Sequence, residues 1–153
     1  MNNLLSAVAQ YLPGFVLRRI FSKRWLAEHI TFDVRPLNEP VTIFCGELPY
    51  MQLTLNVTNR CYLGVELDRL TVEFTCSGIT QQLYYLRRTT VPRGKTVDIF
   101  LRGNLTPQQA AAIAKQGEIP IKIEVFAEFN SDTQDFSVNA AWPLTAKPKL
   151  ANT

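Results

Sequence analysis

One stretch, Lys95 to Asn130, constrains the fold of this chain more than any other. Val97, Ile99 and Leu101 alternate with Thr96, Asp98, Phe100 and Arg102, the two-residue period of a strand with one apolar face. Thr106-Pro107-Gln108-Gln109 then reads as a helix start. Thr106 can cap the orphan N–H groups, Pro107 stands where no N–H is needed, and Gln109 completes a capping box. The helix is predicted over 107–116, with Gly117 as a left-handed stop. Ile119, Ile121, Ile123, Val125, Ala127 and Phe129 return at once to alternation. The order is strand, short helix, strand.

From residue 29 onward the remaining chain repeats the strand pattern. Ile30, Phe32 and Val34 alternate, Pro36 and Pro40 bracket a turn before Val41–Cys45, and Met51, Leu53, Leu55 and Val57 precede a turn at Asn59-Arg60. Val65 and Leu67 are followed, after Asp68-Arg69, by Leu70, Val72, Phe74 and Cys76, so the alternation slips by one residue and predicts a bulge or a strand break. Ser77-Gly78 turns the chain into Ile79–Leu86, Pro92-Arg93-Gly94 turns it into Lys95–Arg102, and Ser131-Asp132-Thr133 makes a hairpin to Phe136–Trp142. Short alternating strands with turn signals between them predict an all-β fold: an antiparallel two-sheet β-sandwich of the fibronectin or immunoglobulin kind, with one short helix near 107–116 and an N-terminal helical arm. The expected division is an arm over 1–28, the sandwich over 29–145 and a flexible tail over 146–153.

That arm is amphipathic and basic. Leu4, Leu5, Val8, Tyr11 and Leu12 have helical spacing, Pro13-Gly14 interrupts it, and Leu17, Ile20, Phe21 and Trp25 resume it among Arg18, Arg19, Lys23 and Arg24. Leu4–Leu17 falls short of the roughly 20 apolar residues that span a bilayer. A signal peptide is also disfavoured, because the basic residues follow the apolar run. The composition is that of a helix lying in a bilayer interface. Leu17, Arg18, Arg19, Ile20, Phe21, Lys23, Arg24 and Trp25 are therefore the expected membrane-binding residues, facing an anionic lipid surface. The alternative is that the same face docks a protein partner or covers an open end of the sandwich.

Charge elsewhere is balanced. The chain totals +3, and residues 1–30 already supply +3, leaving 12 basic and 12 acidic side chains in the remainder. A nucleic-acid-binding domain would carry its excess on the folded face, so none is expected as partner. Cys45, Cys61 and Cys76 are odd in number and lack a CxxC pair, which predicts reduced thiols, Cys45 and Cys76 buried and Cys61 reachable in its turn. Only His29 could join them at a metal, so no metal or other cofactor is expected.

Signals of catalysis are missing. A nucleophilic triad would have to use His29, which is expected to be structural or at the surface, and no nucleophile elbow or phosphate-cradling glycine loop is present. Glu124 and Glu128, like Glu66 and Asp68, read as solvated strand faces, and Arg87, Arg88, Arg93 and Lys95 as a charged turn that blunts a sheet edge, with a phosphate-binding patch as the alternative. No small-molecule substrate is indicated.

Residues 50–145 also resemble the water-stress and hypersensitive-response domain, the type 2 late-embryogenesis-abundant family. The resemblance is carried by Leu53-Thr54-Leu55-Asn56-Val57-Thr58-Asn59, the strand Val65–Phe74, Thr90-Val91-Pro92-Arg93-Gly94, the strand Val97–Leu101, the helix 107–116, the strand Ile119–Phe129 and Pro143-Leu144. Asn59-Arg60-Cys61 stands where that family has Asn-Pro-Asn. The resemblance implies a fibronectin-like sandwich with one helix, no catalytic centre, and a stress-protective, membrane-associated or lipid-contacting role. Together these readings predict a non-enzymatic, cytoplasmic, peripheral membrane protein.

Overall fold

The computed structural model describes residues 11–37 and 39–152. Leu4, Leu5 and Val8 of the predicted arm lie outside them. Among the described residues, the short helices α1 (Gly14–Ile20) and α2 (Lys23–Glu28) precede strands β1 (Ile30–Val34), β2 (Val41–Cys45), β3 (Tyr50–Asn59), β4 (Val65–Cys76), β5 (Ile79–Tyr85), β6 (Thr89–Val91) and β7 (Thr96–Asn104). Helix α3 (Pro107–Ala114), β8 (Ile119–Ser131), β9 (Phe136–Ala146) and β10 (Lys149–Asn152) follow. The strands form two five-stranded sheets packed face to face, a β-sandwich as the alternation predicts.

In the first sheet, β7 pairs along nearly the whole of β3, so β1 and β2 must share the other edge of β3 end to end. The second sheet repeats this plan: β8 runs along one edge of β4, while β6 and β5 divide the other. Met51, Leu53, Leu55 and Val57 of β3 are fully buried against the inward residues of β4 and β8. The slip in β4 is a bulge. Leu67 pairs with Phe129 and Arg69 with Glu128, leaving Asp68 as the extra residue that returns Leu70 to the core face. Ser77 and Gly78 both have positive φ, 54° and 75°, the backbone of a tight two-residue hairpin from β4 to β5.

Two boundaries differ from expectation. Strand β9 continues past Trp142 to Ala146, which pairs with Ile119. Residues 149–152, expected to belong to a flexible tail, form β10 in parallel register with β2, Leu150 opposite Ile43. An edge strand offers unpaired N–H and C=O groups to any extended segment in reach, and four residues are too few to show a period in sequence.

Helix α3 carries the predicted capping box: Gln109 N donates to Thr106 Oγ1 at 3.1 Å, and Thr106 N donates to Gln109 Oε1 at 3.0 Å. Ala110 and Ile113 are buried, and the helix packs beside β2. Its end differs from the predicted left-handed stop. Lys115 closes the helix in right-handed geometry, donating its N–H to Ala111 O, and Gly117 is not among the positive-φ residues. Thr106→Ala is expected to cost about 1 kcal/mol, read as a lower urea midpoint at unchanged slope.

Candidate functional site

Helices α1 and α2 lie at the end of the sandwich where β3 finishes and β1 begins. Pro13 precedes α1, so the Pro13-Gly14 step that interrupts the apolar spacing is where this helix starts. Ser22 caps α2, its Oγ accepting from Trp25 N at 3.2 Å. Neither helix is long enough to be stable alone. Both are held from beneath. Leu26 is 0% exposed and Phe21 8%, and Leu17 and Trp25 pack half-buried against the same core. Arg18 Nε donates to Thr133 O at 2.9 Å and Gln134 Nε2 donates to Phe21 O, which ties α1 to the β8–β9 loop.

The eight residues expected to meet a membrane therefore divide. Leu17, Phe21 and Trp25 face the protein and act as anchors of the helices. Arg18, Arg19, Ile20, Lys23 and Arg24 face solvent, Ile20 being 52% exposed. Two residues outside the expected set join them: Tyr11, just before α1, and Phe15, 75% exposed. For Phe15 the sequence carries a signal, since it stands three and four residues before Arg18 and Arg19 on the same helix. Among the described residues, no helix is long and apolar enough to cross a membrane.

Trp25 organises the junction with the sandwich. It stacks on His29 with ring centroids 3.8 Å apart, meets Phe21 edge-on at 5.2 Å and lies nearly parallel to Tyr62 at 6.0 Å. His29 Nδ1, in the tautomer that carries the proton there, donates to Trp25 O at 2.7 Å. Tyr62 sits on the β3–β4 loop, and the Arg93 guanidinium of the β6–β7 loop lies 5.4 Å from its ring centre. Between these loops Asn59 is completely buried. Its Nδ2 donates to Leu63 O and Val91 O at 2.8 and 2.9 Å, and its Oδ1 accepts from Cys61 N at 2.8 Å.

Cys61 corrects the thiol expectations. It is buried, its Sγ lies 3.7 Å from Leu26 O, and burial pushes its pKa up to about 11. Cys76 is buried as expected and its pKa is raised by the same cause, whereas Cys45 is only half-buried. Alkylation of the native protein should therefore spare Cys61 and Cys76 and reach Cys45 first; rapid labelling of Cys61 would contradict this packing. Because the folded chain holds the Cys61 proton more tightly than the unfolded chain, this thiol's contribution to stability is complete below its ordinary value of 9.0. It is lost as pH rises from there through about 11.

The carboxylates singled out in the sequence are occupied in ion pairs: Glu124 with Lys122 at 2.9 Å, Glu128 with Arg69 at 2.8 Å, and Asp68 with Arg88 at 3.0 Å. One open depression marks the outer face of the second sheet and another its end. One, of about 450 Å³, lies there over Glu73, Glu124 and Phe126; the other, of about 520 Å³, opens at the β4–β5 hairpin end of the sheet, lined by Cys76, Gly78, Ile121, Trp142 and Pro143. Among the described residues no group of three or more His, Cys, Asp or Glu side chains is placed to hold a metal ion.

No family model matches the sequence, and no curated protein matches it. Solved structures do. A structural-genomics target designated SoR45 aligns over 79% of this chain and 89% of its own, with 13% identity and a TM-score of 0.54. This chain shares its fold. A protein from Archaeoglobus fulgidus (12% identity, TM-score 0.47, 80% of this chain and 97% of its own) and a candidate late embryogenesis abundant (LEA) protein, At2g46140.1 (10% identity, TM-score 0.33, 96% and 87%), are more distant.

Proposed function

We propose that this β-sandwich is non-enzymatic and sits peripherally on an anionic membrane surface through the outward face of α1 and α2. The lipid-contacting or stress-protective role is the one that the resemblance of residues 50–145 implies. One observation carries the reading: Phe15 and Ile20 on α1, with Tyr11 just before it, stand exposed among Arg18, Arg19, Lys23 and Arg24, while Leu17, Trp25 and Leu26 of the two helices turn toward the sandwich. Single exposed apolar residues are ordinary. Two of them on α1 and one just before it, set beside four cations of α1 and α2, fit an interfacial segment, whose apolar side chains enter the acyl boundary while its cations meet headgroups. Each such cation contributes about 1 kcal/mol near an anionic leaflet.

Vesicle flotation without any partner tests this. The full chain should float with vesicles of equal parts phosphatidylcholine and phosphatidylserine, less as salt rises, and not with phosphatidylcholine alone. Phe15→Ser/Ile20→Ser should keep the parent's urea midpoint and lose flotation. Failure of the full chain to float at low salt would refute the membrane role and leave a protein-docking role for the same face.

A further inference from the structure

We infer that the membrane contact extends beyond the N-terminal helices: Arg60 and Tyr62 on the β3–β4 loop and Lys95 on the β6–β7 loop form a second contact for anionic lipid headgroups at the same end of the sandwich. The inference rests on the membrane reading above and adds to it a site on the folded domain.

The contacts at this end run together as one continuous pole. Arg60 N donates to His29 O at 2.8 Å, directly after α2, and Asn59 N donates to Lys95 O at 2.9 Å. Trp25 lies beside Tyr62, and Arg93 beside Tyr62 in turn. Segments 14–28, 59–64, 92–95 and 131–135 together close this end, and they hold seven basic and three acidic side chains, a net of +4. The whole chain carries +3, so the rest of the molecule sums to −1. Nearly all the charge asymmetry of the protein is therefore gathered at one end. Arg60 and Lys95 are both exposed there, and so is Tyr62.

The loops that carry them are fixed in advance. Asn59 binds one to Leu63 O and the other to Val91 O, and Gly94 N donates to Asn59 O at 2.8 Å. Preorganised cations lose less freedom on meeting an anion than mobile ones do. Guanidinium and ammonium groups are the donors that phosphate and carboxylate oxygens select, and both kinds of oxygen are present in a phosphatidylserine headgroup. Tyr is a residue of the membrane–water interface, with an apolar ring and a polar tip. A single-stranded nucleic acid would also value cations and aromatic rings. It needs open ring faces on which bases can stack. Here Trp25 is stacked on His29 and flanked by Tyr62, and Ile20 and Phe15 add apolar surface that a bilayer accepts and a phosphodiester backbone does not. Lipid is the better fit.

The test uses the full chain and vesicles of equal parts phosphatidylcholine and phosphatidylserine. Arg60→Gln/Lys95→Gln should weaken vesicle binding roughly 30-fold, the equivalent of about 1 kcal/mol for each cation removed. Arg60→Lys/Lys95→Arg should restore most of it, and both variants should keep the parent's urea midpoint, since neither side chain is buried. If the Gln pair binds like the parent while Phe15→Ser/Ile20→Ser does not bind, the loop contact is overturned and the helix reading stands. If the parent itself does not bind, both fall. A single-stranded oligonucleotide that displaces the parent from vesicles and binds it more tightly would replace lipid as the occupant and overturn the inference.

Discussion

Asn59→Leu is expected to destabilise the protein by about 3–5 kcal/mol, one of the largest losses available from a single substitution here. The side chain is 0% exposed and uses both donors and its acceptor on main-chain groups of two loops. A leucine of similar size would leave Leu63 O, Val91 O and Cys61 N without those partners, at about 1–3 kcal/mol for each group that water cannot reach. Total stabilities of about 5–15 kcal/mol make such a loss severe. Urea unfolding should show a much lower midpoint at unchanged slope. Asn59→Asp separates shape from hydrogen bonding, because it keeps the outline and the Cys61 contact yet turns an oxygen toward two carbonyls. It should also be strongly destabilised. Midpoints within about 1 kcal/mol of the parent for both variants would show that the loops do not depend on this side chain.

Leu26→Ala is expected to cost about 2–5 kcal/mol, the range of a leucine removed from a packed core. The residue belongs to a helix of only six residues, yet it is as buried as Leu55 in the middle of β3. A Leu55→Ala variant supplies the internal comparison. Comparable losses would make α1 and α2 part of the domain's core, and deletion of residues 1–28 would then remove Phe21 and Leu26 from the sandwich and destabilise it. A loss below about 0.5 kcal/mol, the ordinary scale of a surface change, would show helices that merely rest on the sandwich.

Alternation made most of the sandwich legible, because a strand with one buried face writes a two-residue period into the sequence. The bulge at Asp68 and the capping box at Thr106 were readable for the same reason: each is a local rule. Asn59 was half-readable. It continues the inward phase of Met51, Leu53, Leu55 and Val57, so a polar residue there announces a buried hydrogen-bonding side chain, although its neighbour Arg60 suggested only a turn. Strand β10 left no trace, since its pairing depends on an edge of β2 more than a hundred residues earlier. The candidate site was legible only where it is contiguous. Arg18 to Trp25 stand together in sequence, whereas Arg60, Arg93 and Lys95 are scattered through a stretch whose charges cancel when simply added. Folding separates what addition merges, and places these three cations on one side of the molecule.

That separation of charge acts before any contact is made. A body carrying +4 at one end and −1 over the remainder has a large dipole moment, and an external field turns it as well as pulling it. Approaching an anionic surface, it would rotate into an end-on attitude over the last stretch of the path, where a screening length of about 8 Å at physiological salt lets the field be felt. Fewer encounters would then be wasted on the wrong face. On the proposed membrane reading, arrival and residence would come under the control of different side chains: the cations would set how often the molecule lands correctly, and Phe15, Ile20 and Tyr11 how long it stays.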